Sequence, residues 1–133
     1  YALQPAVAVS KYTQVFQDLL DTDLVERVTR PDNLLCRLEL RALTPQCERL
    51  RGFGGYFFEY ALKDLDELHG IVSARYQTLT TRGLDRAELR RFVVENHLPG
   101  IDRIVPIGSA LDIGPYWDGW DLVGMMSRRV ELV

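Results

Sequence analysis

The segment from Gly100 to Leu122 holds the residues of this 133-residue chain whose types and order are best suited to chemistry. A short apolar run, Ile104 to Ile107, ends at Gly108, and the loop that follows is rich in Gly, Asp and Trp. This order is typical of a buried strand that carries an irregular segment to the rim of a sheet, where α/β proteins bind their ligands. We therefore expect a ligand crevice at the carboxyl end of this strand.

Two polar or aromatic groups could line that crevice. Trp117-Asp118-Gly119-Trp120 could anchor a last helix with Asp118 as its N-cap, or the same side chains could face a ligand. Gln77 and Thr78 begin another predicted strand, and polar side chains in a buried strand need hydrogen-bond partners. Those partners could be backbone groups or a ligand.

A glycine-rich loop, Arg49-Leu-Arg-Gly-Phe-Gly-Gly55, leads into a predicted strand. Phosphate-binding loops follow a strand and open a helix, so the order is wrong for a dinucleotide or P-loop fingerprint. The glycines could supply unusual backbone angles in a turn. Alternatively, they could let the backbone approach a cofactor, with Arg49 and Arg51 near its phosphates.

The thiols and imidazoles offer little chemistry of their own. Cys36 falls on the apolar phase of a strand, which predicts a core residue. Cys47 lies in a loop beside two charged residues, but no glycine turn or helix N-terminus flanks it to activate the thiol. His69 and His97 have no acidic or Cys partner at ligand spacing, so we predict no metal site. No serine lies in a G-x-S-x-G elbow, which leaves a hydrolase triad without support.

The composition, 47% hydrophobic and 26% charged residues, is that of an ordinary globular domain. A formal net charge of -3 argues against nucleic acid as a partner. The arginines from Arg82 to Arg91 alternate with Asp85 and Glu88, which indicates a solvated helix face. No apolar run approaches the roughly 20 residues that span a bilayer. Two cysteines are too few for a disulfide framework, so we expect reduced thiols and a cytoplasmic protein.

The hydrophobic pattern predicts one domain, with a helix and an arm-like strand over residues 1–50 and an α/β part over residues 51–133. Apolar residues at spacings of three and four predict a helix capped by Ser10 and running to about Arg30. Alternation over 34–42 predicts a half-buried strand near a sheet edge or in a hairpin-like arm.

Strands and helices alternate after residue 51. We predict strands over 55–61, 76–80 and 102–107. Capping signals predict helices after Asp64 and Asp85, and a last helix near Asp118 or Asp121. This alternation is typical of βαβ units, so we predict an α/β fold with a mostly parallel sheet and flanking helices.

Three segments carry a likeness to a known family. They are Gly54-Gly-Tyr-Phe-Phe-Glu-Tyr60 with Asp64-Leu-Asp-Glu-Leu68, Tyr76-Gln-Thr-Leu-Thr80, and Gly100-Ile-Asp-Arg-Ile-Val-Pro-Ile-Gly108 with Trp117-Asp-Gly119. In this order and spacing, they resemble the C-terminal part of the LuxC-type acyl-CoA reductases, which are relatives of the aldehyde dehydrogenases. The likeness covers residues 51–129, and residues 1–50 match only loosely. It implies the second half of an aldehyde-dehydrogenase-type catalytic domain.

The resemblance implies an NADPH-dependent enzyme that reduces an acyl-CoA, or a related acyl thioester, to an aldehyde through a cysteine thioester. It places the dinucleotide-binding domain and the nucleophile outside this chain, so the catalytic residues are unknown and the chain alone is expected to be inactive. The cofactor-binding candidates that it implies are Phe53, Gly54 and Gly55. With Gln77 and Thr78, the substrate-pocket candidates are Arg103, Trp117 and Asp118, which match the family's terminal signature.

Two other functions fit the residues. The chain could be a non-catalytic α/β binding or oligomerisation module that pairs with a separate subunit, or that forms a homodimer through the strand at 33–42. It could also be a small independent enzyme that uses Cys47.

Overall fold

A computed structural model of the protein describes residues 3–132, and the chain folds as two compact units, Tyr1–Ile71 and Val72–Val133. The first unit contains helix α1 (Pro5–Asp21), strands β1 (Val25–Thr29), β2 (Cys36–Leu40) and β3 (Tyr56–Glu59), and short 3-10 helices over Pro45–Arg49 and Leu65–Leu68. The second contains β4 (Thr78–Thr81), α2 (Arg86–Glu95), β5 (Arg103–Pro106), β6 (Tyr116–Trp117), β7 (Trp120–Asp121) and one helical turn, α3 (Leu122–Met125).

The first unit is a three-stranded sheet with its core on one face. Strand β2 lies in the middle, antiparallel to β1 and parallel to β3. Its alternating sequence buries Cys36, Leu38 and Leu40 and turns Arg37 and Glu39 outward, so the predicted half-buried strand is confirmed. Of the two predicted settings, the sheet edge is wrong because β2 is central, whereas the antiparallel pairing with β1 is that of a hairpin. Because both edges of β2 are hydrogen bonded within the chain, this strand cannot pair with a second copy.

A buried ammonium group joins helix α1 to the sheet. Lys11 is fully buried, and its Nζ donates to the carbonyl oxygens of Asn33, Leu34 and Gly54, the last two at 3.2 Å. Two turns further along the same helix, Asp18 accepts a hydrogen bond from the hydroxyl of Tyr56 at 2.8 Å. Polar side chains buried in this way are stable only because each one is fully partnered.

The predicted mostly parallel sheet with flanking helices is wrong. The structure has three small sheets, one mixed with three strands, one parallel with two, and one antiparallel with two. Helix α1 starts at Pro5, which is suited to a first helical turn, and stops at Asp21 rather than near Arg30. Val25, Val28 and Thr29 are β-branched, and they form β1 of a hairpin instead of extending the helix.

Two further helices are shorter than the capping signals indicate. Asp64 does accept a hydrogen bond from the backbone of Asp66, but only a 3-10 turn follows it. The last helix is reduced to α3, capped by the side chain of Asp121, because an antiparallel hairpin of β6 and β7 takes up the residues before it.

One of the predicted βαβ units is present in the structure. Strands β4 and β5 pair in parallel, with Thr78 opposite Arg103 and Thr81 opposite Pro106, and α2 connects them. The side chain of Asp85 accepts a hydrogen bond from the backbone N–H of Ala87, so the predicted cap of this helix is confirmed.

Gly55 and Gly70 show two different reasons for a glycine, a positive φ and a lack of space for a Cβ. Both have positive φ, 84° and 81°, but a Cβ on Gly55 would lie 1.9 Å from the carbonyl oxygen of Leu34, whereas a Cβ on Gly70 meets nothing. We expect Gly70→Ala to lose about 1–2 kcal/mol of unfolding free energy from backbone strain. Gly55→Ala should lose at least about 2 kcal/mol more through overpacking. Urea denaturation of both variants measures this, and equal losses would contradict it.

Tyr56 should make the protein sensitive to alkali. Burial, and then the hydrogen bond to Asp18, raise the pKa of Tyr56 well above its ordinary value of 10.0. Above the ordinary pKa of 10.0, the tyrosine of the unfolded chain releases its proton while Tyr56 of the folded chain keeps it. The free energy of unfolding should therefore fall as the pH rises. Tyr56→Phe should flatten this fall. At neutral pH it should cost about 1–3 kcal/mol, because Asp18 loses a donor. Urea titrations at several pH values, with exposed Tyr116→Phe as control, test both parts.

Candidate functional site

The glycine-rich loop is a tight turn built into the first unit. The backbone N–H of Tyr56 donates to the carbonyl of Phe53 at 3.0 Å, and Gly54 and Gly55 between them both have positive φ. The carbonyl of Gly54 accepts from Lys11, and that of Gly55 accepts from the N–H of Cys36 at 2.9 Å. The glycines therefore allow a turn and a close approach between the segments that precede β2 and β3.

These residues do not fit a dinucleotide phosphate. Such a site presents backbone N–H groups from a loop that opens a helix. This loop instead opens strand β3. The geometry gives Phe53, Gly54 and Gly55 a role in the fold, and the contact with a cofactor that the resemblance implies for them stays a prediction.

The five substrate-pocket candidates meet in the second unit. The Arg103 guanidinium carbon lies 4.4 Å from the centroid of the Trp117 ring, a cation–π distance. Gln77 Nε2 lies 3.4 Å from Asp118 Oδ2, a long hydrogen bond, and Thr78 is the strand partner of Arg103. Sequence reasoning therefore selected residues that are neighbours in space.

The donors of Arg103 are used within the chain. Its Nη1 donates to the carbonyl of Ala110 at 2.9 Å, and its Nη2 donates to the carbonyl of Asp112 at 2.7 Å. Trp117 also covers a face of the guanidinium. Through these contacts Arg103 stabilises the loop that follows β5. This geometry is that of a structural contact, in which two of the five N–H donors of the guanidinium bind backbone carbonyls.

This cluster lies at the amino ends of the parallel strands, not at the carboxyl end where we expected the crevice. Gln77 comes just before β4, and Arg103 is the first residue of β5. The chain turns back directly after β5, where the N–H of Ser109 donates to the carbonyl of Pro106 at 3.1 Å and Gly108 has a φ of 96°. Further on, Asp118 and Gly119, with φ of 48° and 80°, form the two-residue turn of the β6–β7 hairpin. Asp-Gly between aromatic residues is a strong signal for such a turn, and Asp118 is therefore a turn residue instead of the N-cap of a last helix.

An open surface groove of about 350 Å³ lies at the opposite, carboxyl edge. Its lining residues come from the ends of β4 and β5 and the start of α2: Thr81, Arg82, Gly83, Leu84, Arg86, Pro106 and Ile107. The sequence predicted a crevice at this end of β5, since ligands of open α/β sheets bind outside the carboxyl ends of the strands. It did not predict the residues that line the groove, because the arginines were assigned to a solvated helix face.

The thiols are not placed for nucleophilic attack. Cys36 is 1% exposed, and burial raises the pKa of its thiol. Cys47 is half-buried, and its Sγ lies 3.5 Å from the backbone N of Thr44 and 4.0 Å from the carbonyl oxygen of Ala42. Within residues 3–132, no cluster of three or more His, Cys, Asp or Glu side chains could hold a metal ion.

Comparison with protein-family models, with curated proteins and with solved structures finds no match for this chain. The likeness to the LuxC-type reductases therefore stays a prediction. In the part of the chain that the structure describes, no helix has the length and apolar character needed to cross a membrane.

Replacing Arg103 tests its structural role. Arg103→Lys keeps the charge but loses the planar fork that spans two carbonyls, so we expect a loss of about 1–3 kcal/mol in unfolding free energy. Amide hydrogen exchange should also become faster over residues 109–114. Exposed Arg128→Lys is the matched control. Unchanged stability and exchange in Arg103→Lys would leave the guanidinium available for another role.

Proposed function

We propose that this chain is the C-terminal part of a cytoplasmic, NADPH-dependent reductase that converts an acyl-CoA, or a related acyl thioester, to an aldehyde. The balanced reaction consumes the acyl thioester, NADPH and one proton, and gives the aldehyde, the free thiol and NADP⁺. The acyl-accepting cysteine and the nucleotide-binding domain lie outside this chain, so the chain alone does not catalyse the reaction.

The observation that carries this proposal is the unfinished parallel sheet of the second unit. Strands β4 and β5 have no further neighbour in the described part of their sheet. Parallel sheets occur almost always with several strands and with both faces covered. The apolar residues Leu79, Ile104 and Val105 are only half-buried, although such side chains are central in a complete α/β domain. Further chain from the rest of an enzyme would cover these half-buried apolar side chains.

The two thiols support a nucleophile elsewhere. Acyl transfer requires an accessible thiolate in an electropositive setting. Burial raises the pKa of Cys36, and the sulfur of Cys47 is engaged with the backbone. The likeness to the reductases likewise places the nucleophile upstream of these residues.

A non-catalytic module that pairs with a separate subunit is the second candidate. The residues that follow β5 expose an unusual number of large apolar side chains, including Leu111 (86%), Ile113 (82%) and Met126 (82%). Apolar residues exposed in such numbers favour contact with another protein surface.

An assay on the natural protein distinguishes the two candidates. We expect the polypeptide purified from its source to have an intact mass well above the 15.3 kDa of these residues. It should oxidise NADPH only when an acyl-CoA is present, and release one thiol per aldehyde. The 133-residue chain should be inactive, and Cys47→Ser should leave the full protein active. A mass near that of the chain, with a second subunit co-purifying, would instead establish the module.

A further inference from the structure

We propose that the outward face of helix α1 binds the same face of a second copy of this chain, with the two helices packed antiparallel. The inference does not depend on either candidate function. It also differs from the predicted homodimer through the strand at 33–42, because β2 lies in the middle of its sheet and has no free edge.

The outward face of α1 is apolar along most of its length. Val9, Phe16 and Leu20 are 66%, 61% and 86% exposed, and with Thr13 they follow one another at spacings of four, three and four residues. Successive helical residues are rotated by about 100°, so these four residues form one stripe, and the buried residues of the helix lie on the opposite side. The spacing is that of the contact positions of paired helices. We call these four residues the α1 stripe.

The charges of α1 are placed differently from those of an ordinary surface helix. Before Asp21, its only charged residues are Lys11 and Asp18, and both are buried. A surface helix normally carries its charged residues on the side that faces water. The α1 stripe also has no lysine or arginine beside it, as a helix that lies on an anionic membrane surface would have. Both observations favour a contact between the α1 stripe and another protein surface.

The α1 stripe is complementary in size to its own copy when the helices run antiparallel. With a two-fold axis midway along the stripe, Val9 lies opposite Leu20 of the second copy, and Thr13 lies opposite Phe16 of the second copy. Each level then joins a smaller side chain to a larger one, which fills the space between two helices. A parallel pair would instead place Phe16 against Phe16 and leave the level of Thr13 underfilled.

The one hydroxyl group of the α1 stripe already has a partner. Thr13 Oγ1 donates to the carbonyl oxygen of Val9 at 3.1 Å, within the same helix. Its burial in a helix pair would therefore leave no donor unpaired.

The two ends of α1 are complementary in charge. The amino end has no acidic residue in its first turn and no side-chain hydrogen bond from its N-cap, Gln4, so its positive partial charge is not neutralised. The carboxyl end has no basic residue in its last turn, and the exposed Asp21 adds to its negative partial charge. Antiparallel packing places opposite ends beside each other, whereas parallel packing places like ends together. Size and charge thus both favour a second copy related by a two-fold axis.

The length of the α1 stripe limits the strength of the dimer. From Val9 to Leu20 the helix rises by roughly 16 Å, at about 1.5 Å per residue. Such a contact buries less than the roughly 800 Å² per partner of a stable complex, so we expect a dissociation constant of about 10–100 µM.

Sedimentation equilibrium of the 133-residue chain, from about 5 µM to about 1 mM, tests the dimer. We expect the average mass to rise with concentration from 15.3 kDa towards twice that value. Leu20→Lys should weaken association at least about tenfold, because an ammonium group would be buried opposite Val9. A lysine in the last turn is favourable for the helix itself, so this variant should remain folded. Leu111→Lys is the matched control, because Leu111 is also 86% exposed but lies outside α1, and it should associate normally.

Disulfide trapping tests the direction of pairing. Val9→Cys and Leu20→Cys are each made in a chain that carries Cys47→Ser, so that the buried Cys36 is the only other thiol. Under mild oxidation of an equimolar mixture, antiparallel packing should give mainly disulfides between position 9 of one chain and position 20 of the other.

A chain that stays monomeric at about 1 mM would overturn the proposal, since that concentration is well above the expected dissociation constant. An equal loss of association in Leu111→Lys would do the same. Disulfides formed mainly between equal positions would rule out the antiparallel pair. A monomeric chain whose α1 stripe binds a different protein would show that a second copy is not the partner.

Discussion

The first unit depends on one buried cation. The ammonium group of Lys11 bonds carbonyls on both chain segments that lead into the parallel strands, Asn33 and Leu34 before β2 and Gly54 before β3. A single group from the helix thus fixes where both strands begin. With that register set, Tyr56 comes opposite Cys36 on the buried face and reaches back to α1. A buried lysine without these partners is costly. If the segment before β2 or the segment before β3 moved away, the ammonium group of Lys11 would stay buried without its hydrogen-bond partners.

Much of the local structure was predictable because its causes are local. The alternation in β2, the aspartate before α2 and the βαβ order around it all appear where the sequence indicated. The failures share a physical reason. Val25 and Val28 continue the helical spacing of α1, but they form a strand because they pair with β2. The spacing of apolar residues along a helix does not predict such pairing. The helix predicted after Asp64 is also limited by packing. Its cap is present, but only one tight turn follows, because there is no long apolar face to bury.

The candidate site divides in the same way. Residue types identified a cluster that does assemble, since Arg103 contacts Trp117 and Gln77 approaches Asp118. Which end of the sheet they occupy was not predictable from their order, because the direction of the loop is set by the turn over residues 106–109, directly after β5. Polar and aromatic residues near a sheet are thus weak evidence for a ligand until their donors have been counted. Two of the five N–H donors of Arg103 bind backbone carbonyls of the same chain, which gives this side chain a structural role.

Pro106 affects the side on which a further strand could pair with β4 and β5. The N–H groups of a strand point alternately to its two neighbours, and that of Ile107 donates to Thr81 of β4. The nitrogen of Pro106 is therefore turned to the outer side of β5, where proline has no hydrogen to offer. A strand added on that side would lack a donor beside the groove, and proline in sheets is accordingly confined to edges. Strand β4 contains no proline, so its outer side keeps its backbone donors, and a further strand would pair more favourably with β4 than with β5.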